Sequence, residues 1–181
     1  MTDTSLTTPA LSRRGLLKIG LFGSAFLATA GVTASLSGCS ADVPAAGFTV
    51  LRQSDLPVLR ALIPVVLDGA LPAADMLGAV EGTLKSIDGG LHYLSPEMLK
   101  LTTQLFDVLA MGITRGPLTG IWGSWDNASK GDIEAFLARW EHSSLDLLRM
   151  GHSSLLQLVQ MAWYGRPEAW GHCGYPGPPK F

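Results

Sequence analysis

The chain is predicted to be all-α: an irregular bundle of four or five helices with a long Gly- and Trp-containing loop and an extended C-terminal tail. Three observations predict this. Beyond the first forty residues, apolar side chains recur at three- and four-residue steps, the spacing that lines one face of a helix. Helix start signals of the Ser-Pro-Glu and Ser-x-x-Asp kind punctuate the chain. No run alternates with period two over the length of a strand. A length of 181 residues allows one ordinary domain and argues against two full ones. The formal net charge of −2 gives no electrostatic case for a nucleic-acid partner. Two cysteines can make neither a disulfide framework nor a four-thiolate metal site.

Residues 1–38 read as an export signal. Arg13, Arg14 and Lys18 form a basic flank, and no charged residue then appears from Ile19 to Ala41. That stretch is long enough to span a bilayer, so an uncleaved anchor is the structural alternative. Ser12-Arg13-Arg14-Gly15-Leu16-Leu17-Lys18 resembles the twin-arginine signal, whose route carries proteins that are already folded. Leu36-Ser37-Gly38-Cys39 looks like a bacterial lipobox, in which Cys39 becomes the acylated mature N-terminus. The other reading has cleavage after Ala28-Thr29-Ala30 and a small buried Cys39. With the lipobox, the product is an exported, membrane-anchored periplasmic lipoprotein and Cys173 is a lone thiol. Counted from Ser40, Lys and Arg number 10 and Asp and Glu 14, a mildly acidic domain. Residues 39–47 are small and contain Pro44, a tether, so the helical domain is expected over residues 48–181.

Ser54 can cap a first helix with Pro57 in its first turn and Leu59, Leu62, Ile63 and Val66 on one face. Pro64 should kink or end it. A second helix carries Leu77, Val80, Leu84 and Ile87 and stops at Gly89-Gly90. Ser95-Pro96-Glu97 starts a third, with Met98, Leu101, Leu105 and Val108 as its stripe. Residues 112–129 hold four Gly, one Pro and two Trp and are expected to be a long loop. Ser129-x-x-Asp132 resembles a capping box opening a last helix that meets no Pro until Pro167. Phe136, Trp140, Leu147, Leu158 and Met161 mark its stripe, interrupted by Ser143, Gly151 and Ser154.

Chemistry is sparse. His142 and His152 lie ten residues apart, about 1000° of helical rotation, and so face differently. No metal-binding His pair at i and i+4, phosphate-cradling Gly motif or Gly-x-Ser-x-Gly elbow occurs. His172-Cys173 are adjacent and lack neighbouring ligands. No catalytic, cofactor or metal residue is therefore assigned. All five Trp fall in the last third of the chain. Trp140 and Trp163 lie on the helical stripe and are expected in the core. Trp122, Trp125 and Trp170 sit on or beside irregular backbone, either as lids on the core or as anchors in an interface.

Glu134-Ala135-Phe136-Leu137-Ala138-Arg139-Trp140, then Met161-Ala162-Trp163-Tyr164, Pro167-x-x-Trp170 and a closing Gly174-Tyr175-Pro176-Gly177-Pro178, resemble the gluconate 2-dehydrogenase subunit 3 family. The resemblance runs from about Phe48 to the end and is clearest after Asp132. It implies a small, twin-arginine-exported accessory subunit without a redox centre of its own. The implied partner is a larger FAD-carrying dehydrogenase of the glucose-methanol-choline type, sometimes completed by a cytochrome c subunit. The lipobox departs from that pattern and adds anchoring to escort. On this reading Trp122, Trp125, Trp170 and the tail residues Tyr175, Pro176, Gly177 and Pro178 contact the partner. Two other classes stay open: a stand-alone periplasmic ligand-binding lipoprotein, and an enzyme in its own right.

Overall fold

A computed structural model describes residues 43–179, and the account below concerns these. Seven α-helices are present: α1 (Leu56–Val66), α2 (Met76–His92), α3 (Pro96–Ala110), α4 (Gly112–Thr119), α5 (Lys130–Glu141), α6 (Asp146–Tyr164) and α7 (Pro167–Cys173). No strand occurs among the described residues; an isolated bridge pairs Pro44 with Arg52. The all-α class is as expected, with more and shorter helices.

α1 is the centre. Val58, Leu59, Leu62 and Ile63 are fully buried, and the helix packs against α2, α3, α5, α6 and the 3₁₀ turn Trp125–Asn127. Its N-cap is Asp55 rather than Ser54, and the Asp55 side chain makes no cap bond. That carboxylate instead receives the backbone N–H and guanidinium of buried Arg52. Pro64 lies two residues from the end of α1, where only the final turn lacks its donor.

α2 does not stop at Gly89-Gly90. It continues to His92 because Ile87 and Leu91 bury against the core and Asp88 is bonded to the incoming chain. α3 starts as expected, with Ser95 Oγ accepting from the Met98 N–H at 3.3 Å and Pro96 at the first position. Its buried side chains are Phe106 and Leu109, while Met98 and Leu101 point outward. The stripe was misplaced because α3 covers the core with only its C-terminal half.

The expected loop over residues 112–129 contains α4, closed by Gly120 in a left-handed conformation with φ 85°. The capping box at the start of α5 is present in both directions. The expected single last helix is two, α5 and α6, and α7 follows where Pro167 was expected to end it. The Ser143-Ser144 pair ends the first: the Ser143 hydroxyl accepts the Leu145 N–H at 3.1 Å, which a continuous helix would have used itself. α6 then folds back on α5 and also packs on α2, with α7 against its end.

Residues 43–47, ahead of the expected start at Phe48, already belong to the fold. Ala45 is buried, its N–H donates to the Leu51 carbonyl at 2.8 Å, and Phe48 carries the Lys85 ammonium 3.8 Å above its ring. The expected tether over residues 39–47 thus loses its last five positions to the fold. Arg13, Arg14, Cys39 and the signal segment lie outside the described residues.

Candidate functional site

The aromatic residues singled out in the sequence take three different places. Trp125 is a lid on the domain's own core, 3% exposed, its Nε1–H donating to the Leu109 carbonyl at 2.8 Å. Its ring stands edge-on to Phe136 at 5.8 Å, and Phe136 stands edge-on to Trp140 at 4.9 Å. Trp125 is therefore not free to anchor a partner. Trp140 and Trp163 are buried, as expected. Trp140 donates to the Leu118 carbonyl at 2.9 Å and lies over Gly151 of α6, where a Cβ would come within 2.6 Å of the ring. The absence of a side chain at Gly151 leaves the room that the indole fills.

Trp122 is the outlier. It is 78% exposed, yet it is not loose: a Cβ on Gly116 of α4 would meet its ring at 2.5 Å. The indole thus lies on the bare backbone of α4. Ile113 and Pro117 lie within a turn of Gly116 on the same helix, and Ile113 is exposed, as is Met111 just before α4. Trp122 is thus seated on a short helix that itself exposes Ile113 and Pro117. A large, rigid aromatic held flat at the surface is the residue type that dominates interface energies.

Trp170 forms the third place. It is half-buried; its Nε1–H donates to the Tyr164 carbonyl at 3.0 Å and Tyr175 stands edge-on to it at 5.4 Å. Gly174 and Gly177 take positive φ of 70° and 96°, which turns the tail back over the indole. A Cβ at Gly177 would sit 3.2 Å from that ring. The tail as far as Gly177 is thus seated on its own Trp170 rather than projecting freely. Pro176 and Pro178 remain exposed. α4 packs on α3 and α5, whereas α7 packs on α6, so Trp122 and Trp170 belong to separate surfaces.

The outer face of α6 was not singled out. Leu147 and Met161, assigned to the core stripe, are exposed; Leu155, Val159 and Trp163 face inward instead. The signal available was the absence of Asp, Glu, Lys and Arg between Arg149 and Arg166.

A cleft of about 360 Å³ is lined by Pro57, Arg60, Pro64, Trp125, Asp126 and Lys130, among others. Its cations already have partners: Arg60 Nε lies 2.7 Å from Glu81, and Lys130 Nζ lies 2.7 Å from Asp68. Each carboxylate raises the pKa of its partner, chiefly through the hydrogen bond. The lining holds no His, Cys or Ser to act as base or nucleophile. Among the described residues no group of three or more His, Cys, Asp and Glu could hold a metal ion. Nor is any described helix long and apolar enough to cross a membrane. Comparison of the chain with models of known protein families, with curated proteins and with solved structures found no match.

Proposed function

We propose that this chain is a non-catalytic accessory subunit of an exported flavin-dependent dehydrogenase. Its partner is a larger FAD-carrying alcohol or sugar oxidoreductase of the glucose-methanol-choline type, with a cytochrome c subunit in some assemblies. The chain stabilises the partner, escorts it folded through the twin-arginine translocase on Arg13-Arg14, and holds it at the membrane through lipid on Cys39. Cofactor insertion before export would require this order of events, since the route accepts folded cargo.

The observation that carries this reading is Trp122, presented to solvent while seated on Gly116. The ordered end of the α5–α7 segment, where the family resemblance is clearest, supports it. Detergent-extracted protein from the native host should co-purify with a yellow flavoprotein. Trp122→Ala should weaken that association at least tenfold without shifting the melting temperature, because the ring is outside the core. A colourless monomer under gentle extraction would count against the reading. Replacing Arg13-Arg14 by Lys-Lys should strand the partner's activity in the cytoplasm.

A stand-alone binding lipoprotein is the second reading, favoured by the cleft beside α1. Quenching of Trp125, a residue that lines that cleft, by a small molecule added to a monomer would select it.

A further inference from the structure

On the outer face of α6, Leu147, Met150, Ser154, Gln157, Met161 and Tyr164 are all exposed, Met150 by 64% and Met161 by 67%. Their spacing of three, four, three, four and three is the narrow seam by which one helix packs along another. It also reads the same in both directions. So does the chemistry: two large apolar residues at each end and a hydroxyl and an amide in the middle.

We propose that α6 pairs with α6 of a second copy of this chain, antiparallel, about a two-fold axis midway between Ser154 and Gln157. Such an axis sets Met150 against the partner's Met161 and Leu147 against the partner's Tyr164. At the centre, the Ser154 hydroxyl meets the partner's Gln157 amide twice, and these hydrogen bonds set the register.

The charges fit a second copy. None lies on α6 after Arg149, so nothing along the seam repels. At the ends they form neutral pairs, Asp146 with Arg149 and Arg166 with Glu168. The antiparallel arrangement also places the positive end of each helix dipole by the negative end of the other. Area sets the strength. A helix of 19 residues is about 28 Å long, and a strip roughly 10 Å wide covers about 300 Å² of each copy. The pair therefore buries about 600 Å², well under the ~1,200 Å² of a stable interface. The dimer is accordingly weak and reversible. It does not depend on the dehydrogenase reading, because Trp122, which carries that reading, is seated on α4 instead.

The test is sedimentation equilibrium of the full chain in mild detergent with reductant, from about 1 to 200 μM. Met150→Glu and Met161→Lys should each weaken self-association at least tenfold, since each sets an unpaired charge against a methionine. The double variant should return to within about threefold of the parent, because acid and base then face each other at both symmetry-related places. Within one copy the two positions are roughly 16 Å apart along the helix, too far to pair. A parent that stays monomeric overturns the proposal. So do single variants that leave association unchanged, or a double variant no stronger than the singles. Variants that alter capture of a flavoprotein but not self-association would likewise overturn it and assign the face to that partner.

Discussion

Asp88 sits on the buried face of α2, 6% exposed, between Leu84 and Leu91. Its two oxygens accept the N–H groups of Thr49, Val50 and Leu51 and the Thr49 hydroxyl, all at 2.8 Å. Burial pushes its pKa up, but these bonds outweigh it and hold the carboxyl below its ordinary value. The stabilisation is therefore complete above the unfolded value of about 3.9 and is lost as the pH falls through the folded one. Asp88→Ala should cost about 2–4 kcal/mol at pH 7, because three backbone donors lose their acceptor. Urea melts of both proteins at pH 7 and pH 3 should show that gap narrowing in acid. A pH-independent gap would refute the assignment. This clamp was legible only as a carboxylate on an apolar helix face; the three donors come from residues 49–51, ahead of the first helix, where no periodicity marked a partner.

At the scale of elements, starts proved easier to read than ends. The Ser95 and Ser129 caps are local: each side chain reaches an N–H three residues on, so the motif contains its own physics. Ends depend on what lies beyond. Gly89-Gly90 stays helical because Leu91 is buried, and Ser143-Ser144 breaks a helix because α6 must turn back to place Leu155 and Val159 in the core. The contact that closes this hairpin is Trp140 against Gly151, with Leu105 of α3 3.6 Å from the added Cβ position. Gly151→Val should therefore destabilise by about 1–3 kcal/mol despite improving the local apolar content, since the buried indole has no room to retreat. Thermal melts check this, and a rise in melting temperature would show that α5 and α6 do not pack as described.

The molecule as a whole divides its aromatics between holding itself together and facing outward. Trp125, Phe136, Trp140 and Trp163 are inside one continuous core, while Trp122 and Tyr175 are outside it. Deleting residues 171–181 removes Tyr175 and Gly177 from Trp170 but leaves that core intact. The truncated chain should melt within a few degrees of the parent, show red-shifted Trp emission as Trp170 is uncovered, and release the proposed partner. Unchanged co-purification would retire the tail as a contact. What the amino-acid sequence determined by itself was helical class, two cap motifs and the burial of Trp140 and Trp163, because these follow from spacing and residue type. Only the tertiary structure decided which of two apolar stripes on α3 and α6 faces inward, that Trp125 is core while Trp122 is surface, and that the chain is already folded at Val43. The periodicity of a helix apolar on more than one side names the stripes but not the one another helix will cover. That choice belongs to the packing.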